Sequence, residues 1–179
     1  DHVPGALDYL LGTQPGADLQ ALVIAMEADP EIAYAELDHT TETAEGVQKT
    51  SASVDRNATS VTFRTQPALA TVGGPQAHQV STGTGVLVAV VDNGVDMQHP
   101  EIAARLSQAG FDFVDGDMDP SETLNGLDDD GDGTIDEGAG HGTHISGLVL
   151  LAAPGATILP VRVLDDEGRG PAYRVARGI

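Results

Sequence analysis

Val86-Leu87-Val88-Ala89-Val90-Val91 is an unbroken run of six apolar residues, four of them valine; it is entered through Gly83-Thr84-Gly85 and ends at Asp92-Asn93-Gly94. β-Branched side chains favour strands, and a run with no polar alternation suits a strand buried on both faces of a parallel sheet. Asp-Asn-Gly is a sharp turn signal, so the strand is expected to stop there. Working outward, His141 to Ala152 is mostly apolar and reads as a helix, and Thr157 to Leu164 reads as a second buried strand. Strand, crossover, helix and strand in that order indicate an open α/β sheet. Functional groups in such sheets collect at the carboxyl ends of the strands, and Asp92 stands at one of those ends.

The chain has 179 residues, 40% of them apolar and only 3% aromatic, so its core must be built from Ala, Val, Leu and Ile. That length allows one domain, or a small unit followed by part of a larger one. The formal charge of −20 argues against nucleic acid or an anionic membrane as a partner, since both require a basic face. Between Asp92 and Glu137 there are fourteen acidic residues and a single basic one, Arg105. There are no cysteines, which removes disulfides, thiolate metal sites and thiol nucleophiles. No apolar run is long enough to span a membrane.

Composition divides the chain into three regions: residues 1–40, a connection over 41–65, and a larger unit over 66–179. In the first, Leu19, Leu22, Val23 and Met26 fall at helical spacing until Asp29-Pro30, and Ile32, Tyr34 and Leu37 form a short β-like run. The unit therefore reads as small and α+β. The connection is rich in Thr, Ser, Ala and Glu and has little periodicity, as an exposed, protease-sensitive linker would. Within it, Asn57-Ala58-Thr59 matches the glycosylation acceptor pattern.

The order of motifs in the third region resembles the subtilisin-like serine proteases, peptidase family S8. The resemblance is carried by Val88-Ala89-Val90-Val91-Asp92-Asn93-Gly94-Val95-Asp96, His99-Pro100-Glu101-Ile102 and His141-Gly142-Thr143-His144-Ile145-Ser146-Gly147. Downstream, Ala153-Pro154-Gly155-Ala156 and Leu159-Pro160-Val161-Arg162-Val163-Leu164 complete it. It covers about Gln66 to Ile179 and implies an incomplete, doubly wound, mostly parallel sheet. It also implies a secreted serine endopeptidase in which His141 is the general base and Asp92 the carboxylate that orients it. That assignment agrees with elementary chemistry: imidazole titrates near neutrality, and a carboxylate on one ring nitrogen fixes the tautomer.

The family's nucleophile lies in a Gly-Thr-Ser motif well over a hundred residues past the histidine, whereas 38 residues follow His141 here. The chain as given is therefore expected to be a portion that lacks the nucleophile and is inactive by itself. Ser146, five residues along the helix from His141, projects from a different face and is no substitute. Asn93 stands where the family has Thr or Ser. The family's longer loop between Gly147 and Ala153, which supplies most ligands of its strong calcium site, is nearly absent.

The family binds substrate backbone along a glycine-rich edge, matched here by Gly168-Arg169-Gly170 with Leu164 before it, where a peptide could pair as an added strand. A plain surface turn is equally compatible with those residues. The resemblance of residues 16–38 to the later half of a propeptide makes the chain's own N-terminal segment a second partner, beside polypeptide substrates.

The acidic stretch from Asn125 to Glu137 has the spacing of an EF-hand-type loop. Asp128, Asp130 and Asp132 fall at positions one, three and five, the Thr134 carbonyl at seven and Asp136 at nine. Hard oxygens at alternate positions suit a weakly bound Ca²⁺, although Ala139 occupies the place of the bidentate Glu, leaving Glu137 as the nearest replacement. A disordered acidic loop is the other reading. No organic cofactor is implied. A competing function is a non-catalytic calcium-binding or protein-binding module derived from the protease fold.

Overall fold

The computed structural model describes residues 9–43 and 60–179. The Asn57 acceptor pattern lies outside the described residues.

The centre of the molecule is a three-stranded parallel sheet in the order β2–β4–β3, with β2 at Leu87–Asp92, β4 at Thr157–Arg162 and β3 at Phe111–Asp112. Leu87 pairs with Thr157 and the register runs without a bulge to Asp92 opposite Arg162. Helix α5, His141–Ala152, crosses between β3 and β4. This is the strand–helix–strand order expected from the apolar runs, and the helix has the predicted bounds.

Two apolar clusters flank the sheet. One gathers Val90, Val95, Ile102, Leu106, Leu150 and Ile158, with Val88, Ile145 and Val149 against it. The other gathers Val161, Val163 and Leu164, with Val91, Phe113 and Val175. At roughly 1.5–3 kcal/mol for each fully buried aliphatic side chain, these clusters hold β2 and β4 together. A buried ion pair sits at the carboxyl end of the sheet, where Arg162 Nη1 meets Asp112 Oδ2 at 2.6 Å and Asp115 Oδ2 at 2.7 Å.

Three expectations need correction. First, the valine run is not buried on both faces along its length: Val86 and Leu87 are half exposed, and burial begins at Val90. Val88 is only partly buried against the first cluster and Ala89 is exposed, so the hydrophobic run overstates its enclosure. Second, Ile32–Leu37 forms no strand, and Tyr34 is exposed. Its apolar residues do not keep strict alternation, and no neighbouring strand pairs with them. The strand of this region is β1, Thr40–Glu42, which falls across the expected end of the first unit. Third, β4 ends at Arg162 rather than Leu164. The two residues beyond it turn across the end of β2, where Val163 N and Leu164 N donate to the Asp92 carbonyl at 2.8 and 3.2 Å.

Helix α1, Leu19–Glu27, begins at Asp18, whose carboxylate accepts from Ala21 N at 3.0 Å, a normal N-cap. None of its residues is buried. Short helices α2 (Ser60–Arg64), α3 (Pro67–Thr71) and α4 (Gly74–Ala77) precede the sheet. The described chain closes with β5, Arg169–Pro171, and α6, Ala172–Arg177. β1 pairs with β5 as a separate antiparallel ribbon. No helix among the described residues is long and apolar enough to cross a membrane.

Candidate active site

Asp92 is the last residue of β2 and His141 the first of α5, and the fold brings their side chains together across 49 positions of sequence. His141 Nδ1 lies 2.8 Å from Asp92 Oδ1 and 2.9 Å from Oδ2. An ionised carboxylate only accepts, so Nδ1 carries the ring proton toward Asp92, making Nε2 the basic nitrogen. Asp92 is 7% exposed. Its carbonyl is pinned by Val163 and Leu164, and its Oδ1 accepts from Asn93 N at 2.7 Å.

Close approach of strand and helix makes this contact possible, and Gly142 permits it. A β-carbon on Gly142 would lie 2.1 Å from the Gly94 carbonyl oxygen and 3.2 Å from Asp92 Cβ. Any side chain there would push His141 away from the carboxylate.

Asn93 ties the same corner together. Fully buried, it accepts from Gly142 N at 3.0 Å and donates through Nδ2 to the Gly138 carbonyl. One carboxamide therefore grips the chain on both sides of His141. A threonine or serine hydroxyl is too short to bridge both points, so asparagine at this position has a role of its own. Glu122 adds a third anchor, with Oε2 accepting from Gly140 N at 2.7 Å. No sequence signal marks Glu122. Ser146 is completely buried, which closes its hydroxyl to a substrate.

The glycine-rich edge is a strand, β5, and it is occupied by the chain's own N-terminal segment. Thr40, Thr41 and Glu42 face Pro171, Gly170 and Arg169 in antiparallel register. Beyond the ladder, Thr43 N donates to the Gly168 carbonyl at 3.0 Å and Ala172 N to the His39 carbonyl at 2.7 Å. Gly170 has no room for a side chain, since a β-carbon would lie 2.6 Å from the Val163 carbonyl oxygen. Leu164 departs from the expected place: its side chain is buried in the second cluster, beneath the edge and against Gly170, and supports the strand from below. That a Thr-Thr-Glu triplet would dock here had no hydrophobic signature by which to be found.

In the acidic insert, Asp128, Asp130 and Asp132 each offer an oxygen, all within 4.8 Å of one another. Asp128 accepts from Gly131, Asp132 and Gly133 amides at 2.8–3.1 Å, so the loop is wrapped around its first carboxylate. These three residues fit a hard cation such as Ca²⁺ in donor type and spacing, with Asp130 shared, since its Oδ2 also meets Arg169 Nη1. Asp136 is turned away from them, its carboxylate accepting from the Asn125 and Gly126 amides. It adopts a left-handed backbone, φ 48°, and so closes the loop on its own start. The Thr134 amide donates to Asp132 Oδ1 at 2.8 Å.

The insert is stapled to the loop before β5. Buried Glu167 accepts from Asp129 N at 3.1 Å and Glu137 N at 3.3 Å, and Gly138 N donates to the Asp166 carbonyl. Burial, then the charges of Asp132, Asp130 and Glu167, raise the Glu137 carboxyl above its ordinary range. Asp166 is raised likewise, first by burial and then by Asp129, Asp136 and Asp165.

Residues 83–179 match the model of the subtilase family, peptidase S8. Thermitase of Thermoactinomyces vulgaris is 37% identical over 115 residues, covering 59% of this chain and 36% of that protein. The minor extracellular protease Vpr of Bacillus subtilis is 41% identical over 105 residues, 55% of this chain and 12% of Vpr. Subtilisin E of the same species is 31% identical over 164 residues, 86% of this chain and 34% of that protein. The chain thus spans about a third of thermitase and subtilisin E, and less of Vpr.

Proposed function

This chain belongs to the subtilase family, and from that premise we propose that it supplies the base and its orienting carboxylate to a secreted serine endopeptidase. The reading is carried by one observation, the Nδ1–carboxylate contact of 2.8 Å between His141 and Asp92. His141 Nε2 takes the proton of an attacking serine hydroxyl and later delivers it to the leaving amine. Asp92 holds the ring in the useful tautomer and offsets the positive charge that the ring acquires. The 179 residues hold no Gly-Thr-Ser motif, and on this reading they are inactive alone.

The substrate is polypeptide, bound as a strand along Gly168-Arg169-Gly170. Supporting this, residues 40–43 already make that pairing. The same contact supports reading residues 1–40 as a propeptide-like unit and residues 66–179 as the front of the peptidase unit, with the edge filled by the chain's own segment until it is removed. Residues 128–132 bind Ca²⁺ weakly, with Asp128, Asp130 and Asp132 holding it. A cation held there would neutralise a cluster of carboxylates and stiffen the approach to His141. Secretion is supported by the extracellular relative named above.

The test is hydrolysis of casein by the intact gene product, with and without His141→Ala. Cleavage that the substitution abolishes is the expected result. Cleavage that survives it would remove His141 from the chemistry and refute the reading. Cleavage by purified residues 1–179 would refute the statement that they lack the nucleophile.

A further inference from the structure

The edge that receives the strand is Gly168-Arg169-Gly170, and the two glycines offer no side chain to an incoming peptide. Backbone pairing gives affinity without regard to sequence, so discrimination at an edge falls to side chains. In this triplet only Arg169 has one. In the docked segment Glu42 stands directly opposite it, and Arg169 Nε lies 3.2 Å from Glu42 Oε1.

The guanidinium is held from a second side, where Nη1 contacts the carboxylate of Asp130 in the acidic insert. A guanidinium presents five donors in a rigid fork, so it satisfies two carboxylates at once on different edges. Asp130 is the more enclosed of the two, 11% exposed against 36% for Glu42. Asp130 is therefore the fixed partner that aims the group, and Glu42 the exchangeable one. A basic side chain at the position of Glu42 would face Arg169 with like charge, which is unfavourable for cross-strand neighbours.

The segment runs antiparallel to β5 and leaves Thr43 beside Gly168, against which Gly138 packs, three residues before His141. Residue 42 therefore lies on the acyl side of any bond presented to the imidazole.

We propose that Arg169 is a specificity-determining residue which selects polypeptides with a glutamate or aspartate opposite it, on the acyl side of the bond cleaved. This rests on the protease reading above and names the substrate class for that edge. Arg169 is 29% exposed, so solvent and salt screen the pair. The preference is a modest one, about two- to fivefold.

The experiment measures kcat/KM of the intact gene product on synthetic peptides of sequence Glu36–Val47 with Glu, Gln or Lys at position 42. Casein hydrolysis serves as the control for activity. The expected order is Glu, then Gln, then Lys, with about two- to fivefold between the first two at low salt and a smaller spread near 1 M salt. Arg169→Glu is expected to invert the order. Arg169→Lys, which retains the charge but not the fork, is expected to retain the order with a narrower spread, and guards against a variant that merely disturbs the loop. If casein is hydrolysed but the three peptides are handled alike, or if the order ignores residue 169, this proposal falls and the protease reading stands. If casein and all three peptides are left intact, both fall.

Discussion

The Asp92–His141 corner and the acidic insert are both clusters of charged groups, but they are held in different ways. At the corner the backbone does the positioning. Asp92 ends a strand paired through its whole length, its carbonyl accepts two amides from the chain beyond β4, and His141 begins a helix packed on the same core. In the insert, side chains do it: Asp128 gathers three amides, Asp136 closes the loop, and Glu167 fastens both ends. A geometry set by buried backbone withstands changes of pH and salt. One set by carboxylates follows their protonation and any cation that neutralises them. The two meet at Gly138, whose carbonyl is bonded to Asn93 and whose amide is bonded to Asp166.

The sharpest way to break the contrast is at the corner. Asp92→Asn keeps the shape but offers an amide to Nδ1, favouring the wrong tautomer. A fall of about 10⁴-fold in kcat of the intact gene product is expected, with little change in melting temperature. A loss below tenfold would show that the carboxylate does not orient the ring.

Next in size is Arg162→Met. It leaves Asp112 buried without its partner and is expected to destabilise the protein by about 3–5 kcal/mol in a denaturant titration. An unchanged midpoint would mean that the sheet end does not depend on the ion pair. Asn93→Ala removes both grips around His141, leaving the Gly142 amide without its partner and the Gly138 carbonyl with the His141 amide alone, and costs about 1–3 kcal/mol. Asn93→Thr should recover at most part of it, because one hydroxyl cannot reach both points. Full recovery would refute the bridging role.

The smallest effect belongs to the insert and separates it from the corner by pH. Because the folded Glu137 carboxyl is raised, its contribution to stability is complete below the ordinary glutamate range and is lost as pH rises through the raised value. Glu137→Gln imitates the protonated form. It is expected to raise the melting temperature by a few degrees or less at neutral pH, and not at all near pH 4, just below the ordinary value of about 4.3. Added Ca²⁺ should shrink the neutral-pH difference. A gain of equal size at both pH values would contradict the linkage.

What could be read from sequence follows the same division. β2 and α5 were legible because an unbroken apolar run and a glycine-flanked helix start are local patterns, and Asp92 and His141 stand at their ends. Asn93 as a bridge was not legible, because its two partners, residues 138 and 142, are distant in sequence and bonded through backbone atoms. The strand at 40–42 escaped notice because its pairing is to residues 169–171 and its side chains are polar. The apolar residues at 32, 34 and 37 suggested a strand where none forms, since side-chain pattern says nothing about whether a partner edge is within reach. In the insert, spacing located the three converging aspartates but could not show that Asp136 turns back to the Asn125 and Gly126 amides.

The central claim is that Asp92 and His141 share a proton-ordering contact, and ¹⁵N NMR of histidine-labelled protein tests it directly. The account predicts that neutral His141 carries its proton on Nδ1, with a strongly downfield proton resonance that disappears in Asp92→Ala. A His141 ring protonated on Nε2, or an Nδ1 signal indifferent to Asp92→Ala, would contradict it.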